Sequence, residues 1–186
     1  MRFRAILPLL MALTVLASAQ DDHSMSACPM HGDHVQNENS DSPQSAADSH
    51  SHDVDSRGDR AMGFEHAKTA HHFLLKRDGG VIRVEANDAV DEASRASIRK
   101  HLARIAQSFS EGDFQIPMLV HDQDPPGAAV MKRRKSLIRY RYAEVPEGAE
   151  VLISSTDPKA IAAIHQFLRF QITEHRTGDP LSVDGG

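Results

Sequence analysis

The feature that most constrains the fold is a helix near the C-terminus, whose two ends and buried face can be read directly from residues 157–179. Asp157 is the predicted N-cap, Pro158 has no N–H to leave unpaired at the first helical position, and Gly178 is predicted to supply the left-handed residue that ends the helix. Apolar side chains recur between these ends at helical spacing, at Ile161, Ile164, Leu168 and Ile172. One face of this helix must therefore be buried against other parts of the chain.

The same start, apolar face and end occur 66 residues earlier, where Asp91 corresponds to Asp157 and Gly112 to Gly178. The inward residues predicted for this earlier helix are Ile98, Leu102, Ile105 and Phe109. The sequence therefore predicts two copies of one structural unit.

Two short strands are predicted before each helix. Residues 70–76 and 81–86 flank Arg77-Asp78-Gly79-Gly80, which is typical of a hairpin in which both glycines take positive φ angles. Residues 137–145 alternate Ile138, Tyr140 and Tyr142 with arginines, and a return strand carrying Val151 and Ile153 follows the turn at residues 146–148. Each unit therefore has the order β-β-α.

The predicted fold class is α+β. Two ββα units form a four-stranded antiparallel sheet, both helices pack on one face, and a disordered tail precedes them. The connection between the units, residues 114–134, contains Pro117, Pro125 and Pro126, so Met118–Asp122 is predicted to be at most a short edge segment. The compact domain is predicted over residues 62–180, followed by a disordered C-terminus at 181–186.

The first 19 residues have the pattern of a secretory signal peptide. Arg2 and Arg4 precede an apolar run at residues 5–16, and Ala17-Ser18-Ala19 fits a small-residue cleavage site. A periplasmic or extracellular location after cleavage near Ala19 is expected. No later stretch approaches the roughly 20 apolar residues that a membrane-spanning helix needs, so no span is predicted.

The charge and the cysteine count narrow the classes of partner. Cleavage would remove two of the 21 basic residues and none of the 26 acidic ones, which leaves a net charge of −7 with histidine neutral. Such a chain is a poor match to phosphate backbones, and no nucleic acid partner is expected. The single cysteine, Cys28, excludes an internal disulfide and indicates a metal ligand, a reactive thiol or an intermolecular link.

Residues 20–61 are predicted to form a disordered tail, because they are too polar to bury enough apolar area to offset chain entropy. Soft metal ligands are crowded into a dozen residues of this tail, at His23, Met25, Cys28, Met30, His31 and His34. Thiolate, thioether and imidazole groups match Cu(I) best and Zn(II) or Ag(I) next. The predicted cofactor is copper or another soft transition metal. A merely polar, histidine-rich spacer is the alternative.

Four histidines of the compact domain are predicted to lie between the sheet and the last helix, at His71, His121, His165 and His175. His71 points to the same sheet face as Phe73, and His175 continues the buried face of the last helix. Three or four converging imidazoles would form a metal site. The alternative is that each is a half-buried side chain with an ordinary structural role.

The tail also carries a recognisable motif. Cys28-Pro29-Met30-His31 resembles the Cys-Pro-Met-His-Pro core of the short heavy-metal-binding modules of bacterial copper and silver efflux proteins, although Gly32 stands in place of the second proline. This resemblance implies that the tail binds a metal ion, and that a protein of metal efflux is a partner.

A second resemblance covers residues 62–180. His71-His72-Phe73, the Pro125-Pro126-Gly127 loop and the segment from Ile164 to Asp179 are similar to an uncharacterised family of small exported bacterial proteins. Some members of that family are labelled aspartate carbamoyltransferase. This chain lacks the Ser-Thr-Arg-Thr phosphate loop and the His-Pro-x-Gln element of that enzyme, so the label is not adopted.

These observations favour a periplasmic or secreted metal-handling protein, and they favour a binding protein over an enzyme. No catalytic residue is assigned, because the sequence has no Gly-x-Ser-x-Gly elbow, no Walker loop and no dinucleotide-binding glycine motif. Two alternatives stay open: an interaction module with incidental histidines, and a small enzyme with a histidine as general base.

Overall fold

The structure is a computed structural model that describes residues 43–183, with side chains from Asp53 onwards. The predicted signal peptide, the six predicted ligands between His23 and His34, and residues 184–186 lie outside this range. Within it the helices and strands are α1 (Pro43–Met62), β1 (Thr69–Lys76), β2 (Gly79–Ala86), α2 (Glu92–Glu111), α3 (Gln115–His121), α4 (Ala128–Arg133), β3 (Ile138–Val145), β4 (Gly148–Ser155) and α5 (Pro158–Glu174).

The four strands form one antiparallel sheet in the order β1-β2-β4-β3, which confirms the predicted α+β fold. β1 and β3 begin at Thr69 and Ile138, which are 69 residues apart. Ile82 of β2 pairs with Val151 of β4, and these two residues are separated by the same 69 positions. The sheet therefore has an approximate two-fold axis through this pair, as two copies of one unit require.

Both long helices pack on one face of the sheet. α2 lies mainly over β3 and β4, whereas α5 lies mainly over β1 and β2. Each helix thus covers the hairpin of the other unit, so the two units share one core. Its largest fully buried side chains include Phe109, Phe167, Leu75, Ile98, Leu102 and Ile164. Burying such side chains is the main favourable term in the free energy of folding.

The predicted helix starts are confirmed. The Asp91 carboxylate accepts from the Ser94 N–H, and the Asp157 carboxylate accepts from the Ala160 N–H. Gly112 ends α2 with a left-handed φ of 79°. The predicted role of Gly178 is wrong: α5 ends at Glu174, and Arg176 takes the first left-handed conformation after it, with φ 50°.

The first hairpin has a two-residue loop, Arg77-Asp78, and both glycines lie in β2. Only Gly79 has a positive φ, of 150°, so the predicted positive φ of Gly80 is wrong. Gly80 is required for a different reason, because a Cβ at this position would lie 2.2 Å from Cδ1 of Leu168. The glycine lets α5 approach the sheet closely.

The connection between the units is helical, which corrects the edge segment predicted at Met118–Asp122. α3 contains these residues up to His121. Pro117 is tolerated because it lies in the first turn, where backbone N–H groups have no intrahelical acceptor. Gly127 starts α4 with φ 87° and lets it pack closely on α5, since a Cβ there would lie 2.1 Å from the Ala163 carbonyl oxygen.

The predicted disordered tail also differs from the structure over residues 43–61, which belong to α1. α1 packs on α3, Val54 is fully buried, and Arg57 Nε donates to the Val120 carbonyl at 2.7 Å. His66 pairs with two aspartates of α1 at 3.2 and 3.1 Å. These tertiary contacts explain how a helix forms in a segment of low hydrophobicity.

The C-terminal segment covers the outer edge of β1. The Asp179 carboxylate accepts from the Phe73 N–H at 2.9 Å, and its other oxygen is 3.0 Å from Nδ1 of His72. Arg169 Nε donates to the Leu181 carbonyl, so residues 181–183, predicted to be disordered, lie against α5. None of the helices formed by the described residues is long and apolar enough to cross a membrane.

Candidate functional site

Three histidines that are far apart in sequence meet between the sheet and the helices. His71 comes from β1, His121 is the last residue of α3, and His175 is the C-cap of α5. The ring centroids of His121 and His175 are 4.9 Å apart, and those of His71 and His175 are 5.8 Å apart. We refer to His71, His121 and His175 as the histidine cluster.

Aromatic side chains surround the cluster. Phe73 stacks on His175 at 5.6 Å, and Phe170 contacts His121 edge-on at 4.9 Å. Phe64 lies 6.3 Å from His71 and 5.7 Å from His101, and so links a fourth imidazole to the group. The rings are therefore packed in an apolar environment.

His121 has polar neighbours on α5 and is only 2 % exposed. Its Nε2 lies 3.0 Å from Oε1 of Gln171, and its Nδ1 lies 3.7 Å from a carboxylate oxygen of Glu174. The hydrogen bond between Nε2 and Gln171 fixes the orientation of the His121 imidazole. Gln171 is itself 4 % exposed, so this polar contact is buried in the core.

Burial keeps the nearby imidazoles neutral. Burial lowers the pKa of His71 from 6.5 to about 4, with a further lowering from His101 and His66. It lowers the pKa of His101 to about 4 and that of His175 to about 3. The cause is that a low-dielectric environment disfavours the charged form. These three side chains are therefore uncharged at neutral pH.

A cavity of about 70 Å³ lies beside the cluster, between the sheet and α2, α3 and α5. His71, His101, His121, His175, Gln171 and Met62 line it together with Phe, Ile, Leu, Val and Pro side chains. Nε2 of His71 and Nε2 of Gln171 are buried and have no hydrogen-bond partner among the described residues. The cavity is therefore lined mainly by apolar side chains, with imidazoles and one amide among them.

The structure brings together three of the four domain histidines predicted to form a site. His165 lies elsewhere: its Nε2 is 2.8 Å from the Lys76 carbonyl oxygen, to which it donates. His165 and His175 are ten residues apart on α5, which corresponds to roughly 15 Å along the helix axis. These two imidazoles cannot converge on one ion.

Four residues of this region were not assigned by sequence analysis: Met62, His101, Gln171 and Glu174. Gln171 lies four residues before His175, so the helical periodicity that placed His175 also predicts that Gln171 lies on the same face. Glu174 directly precedes His175, and adjacent helical residues do not face each other. No comparable signal connects Met62 or His101 with the cluster, because their approach depends on the packing of α1 and α2.

Among residues 53–183, no group of three or more His, Cys, Asp or Glu side chains is arranged to hold a metal ion. Within the cluster, the rings of His71 and His175 are stacked with an angle of only 5° between their planes. An imidazole lone pair lies in the plane of its ring, so rings stacked in this way do not direct both lone pairs to one point.

No known protein family, no curated protein and no solved structure matches this chain.

Proposed function

We propose that this chain is an exported metal-handling protein, and that its N-terminal tail binds copper or a similarly soft metal ion. The observation that carries the proposal is the crowding of soft donors between His23 and His34, after a secretory signal pattern. A thiolate, two thioethers and three imidazoles within twelve residues exceed the donors that one Cu(I) ion requires.

Cys28 is the proposed central ligand. A metal-bound cysteine is a thiolate, so binding at neutral pH releases the thiol proton and affinity rises with pH. Met25 and Met30 add donors that stay unprotonated at every pH. Met30 and His31 follow Cys28 within three residues and are proposed as further ligands of the same ion.

The domain supports a secondary role in the same function. His71 and His175 are held neutral, which is the protonation state that metal binding needs. We propose that the domain either docks a partner of metal efflux or receives the ion after a rearrangement of the histidine cluster. The tail remains the primary binding element in both cases.

Metal titration of the mature protein tests this proposal. Cu(I) and Zn(II) are added under reducing conditions to the mature chain and to a variant with Cys28→Ser, Met30→Leu and His31→Asn. The mature chain should bind Cu(I) with a dissociation constant below ~10 μM, and the variant should bind it at least about 100-fold more weakly. Zn(II) should bind less tightly than Cu(I).

Two further chains separate the tail from the domain. A control with Ser24→Ala, Ser26→Ala and Asn37→Ala alters the tail but none of its donors, and should bind like the mature chain. A variant with His71→Asn and His175→Asn tests the domain histidines and should keep the tight site. Absence of Cu(I) binding tighter than ~10 μM in the mature chain would overturn the proposal.

A further inference from the structure

β3 is an open edge of the sheet, unlike β1. These are the two outer strands, and the C-terminal segment covers the edge of β1, where Asp179 accepts from the Phe73 N–H. β3 pairs only with β4, and otherwise it contacts mainly α2 and residues 135–137 just before it. No strand formed by residues 43–183 therefore lies beside the outer edge of β3.

This edge presents backbone groups that point away from the sheet. The Ala86 N–H donates to the Glu147 carbonyl, and in an antiparallel pair alternate residues point their backbone groups to the same neighbour. Odd-numbered residues of β4 therefore face β2, whereas Leu152 faces β3, where it pairs with Arg141. The residues of β3 that alternate with Arg141 and point outward are Tyr140, Tyr142 and Glu144. Their N–H groups have no partner among residues 53–183.

Two arginines on this edge also lack an ion-pair partner among the described residues. Arg139 and Arg141 are exposed and two residues apart, so they project from the same face of β3, which is the face that the helices leave open. Glu150 lies on this face of β4 but pairs with Arg83, at 2.6 Å. Asp78 lines the same surface recess as Arg139 without forming an ion pair with it. The edge therefore carries two positive charges that are free to pair.

The backbone groups and the arginines together match an extended acidic segment. Alternate residues of an added antiparallel strand would form hydrogen bonds with Tyr140, Tyr142 and Glu144. The residues between them would lie opposite Arg139 and Arg141 on the open face, so acidic side chains at every second position would pair with both. Strand addition of this kind takes its affinity from main-chain hydrogen bonds and its specificity from alternate side chains.

Two other occupants match this edge less well. A second copy of this chain would place four arginines on adjacent strands, and like charges opposite each other are destabilising. Residues 20–42 include five acidic residues and no basic one, but no two of these five are two residues apart. They do not match the spacing of Arg139 and Arg141, so a segment of another protein is the better occupant.

We infer that β3 docks an extended acidic segment of a partner protein. This segment adds a fifth, antiparallel strand beside β3 and pairs its acidic side chains with Arg139 and Arg141. The inference uses only residues of the domain and goes beyond metal capture by the tail. Metal-free protein should bind the segment, so failure of either proposal leaves the other intact.

NMR of the isotope-labelled mature protein, kept metal-free, tests the inference with short peptides whose ends are blocked. A peptide of alternating glutamate and threonine should cause saturable shifts of the Tyr140, Tyr142 and Glu144 amide signals. It should also slow the exchange of these amides with solvent, because each gains a hydrogen bond or a covering strand. A peptide of alternating lysine and threonine should do neither.

Methylation of the peptide backbone separates strand addition from simple charge attraction. When the glutamates lie opposite the arginines, the threonine N–H groups face β3 and the glutamate N–H groups point away. Methylating the threonine nitrogens should therefore weaken binding at least about tenfold, as expected for the loss of two or more hydrogen bonds. Methylating the glutamate nitrogens should have a much smaller effect, although both peptides carry the same charge.

A pair of charge-reversed variants tests the arginines. Arg139→Glu with Arg141→Glu should weaken the glutamate peptide at least about tenfold and allow the lysine peptide to bind. Lys100→Glu with Arg104→Glu makes the same change of net charge at exposed positions of α2. This control should change the affinity for the glutamate peptide by less than about twofold at physiological salt. If the first variant does not fold, the methylated peptides decide on the wild-type protein.

Three results with the peptides would overturn the inference: no saturable shifts with the glutamate peptide, equal binding of the two methylated peptides, or equal binding by the two variants. A fourth result concerns the protein alone. If exchange of the Tyr142 amide slows as the protein concentration rises without peptide, a second copy occupies this edge and the inference is wrong.

Discussion

Acidification should destabilise this domain in a pH range set by three half-buried histidines. The pKa values of His71, His101 and His175 fall from 6.5 to about 4, 4 and 3 when the chain folds. The unfolded chain therefore binds more protons than the folded chain below pH 6.5. The stability contributed by these histidines is fully retained above pH 6.5 and falls as the pH drops below it. It levels off only below the pKa values that the histidines have in the folded chain.

The magnitude follows from proton linkage. Between pH 6.5 and 5.5, a histidine that titrates at 6.5 only in the unfolded state removes about 1 kcal/mol from the free energy of unfolding. Three such histidines remove about 3 kcal/mol, a large part of the ~5–15 kcal/mol that stabilises a typical domain. The pKa values of Asp91 and Asp179 are lowered from 3.8, so these carboxylates act only at more acidic pH.

Urea unfolding followed by circular dichroism at pH 7.5, 6.5, 5.5 and 4.5 measures this effect. His101→Phe removes one of these imidazoles and should reduce the loss of unfolding free energy between pH 6.5 and 5.5 by about 1 kcal/mol. Gln166→Ala, at an exposed position on α5, should leave this loss of unfolding free energy unchanged. If the free energy of unfolding of the wild type changes by less than about 0.5 kcal/mol between pH 6.5 and 5.5, the imidazoles are not held neutral in the folded protein.

Two substitutions test the packing that positions the site. Gly127→Ala should cost about 3 kcal/mol in urea unfolding because its Cβ would meet a backbone oxygen of α5. Gly63→Ala is the matched control, since Gly63 also has a positive φ, of 80°, but nothing lies within 4 Å of the added Cβ. If both substitutions cost the same free energy, α4 does not pack as closely on α5 as the structure shows. Asp179→Ala should cost about 1–3 kcal/mol by leaving the Phe73 N–H unpaired. The amide of Phe73 should then exchange with solvent faster than in wild type, and unchanged exchange would show that the C-terminal segment does not cover β1.

The ββα repeat could be predicted because its signals are local. Asp91 and Asp157 are followed by apolar residues at helical spacing, and each capping group acts within its first turn. The strand assignments rest on alternation over eight residues. A shift of one residue would move Phe73 and Leu75 from the buried face to the exposed one.

α1 and α3 could not be predicted in the same way. α1 contains few apolar residues, and it is held by long-range contacts such as that of Arg57 with Val120. α3 contains a proline, which normally argues against a helix, and only the position of Pro117 in the first turn makes it compatible. In both helices, tertiary contacts and terminal position outweigh residue preference.

The candidate site was predicted in part. The alternation of β1 and the periodicity of α5 correctly placed His71 and His175 on inward faces. His165 precedes His175 by ten residues, which puts the two imidazoles far apart along the helix axis. The cavity depends on how three helices pack over the sheet. Its volume is therefore a property of the assembled core that no local pattern encodes.

Elemental analysis of the protein purified from its own host tests the proposed function most directly. The account predicts close to one copper, or a similarly soft metal, per chain when the protein is isolated without chelator. The variant that lacks Cys28, Met30 and His31 should carry much less. A wild-type protein that is metal-free on isolation, and remains so after exposure to excess Cu(I), would contradict the account.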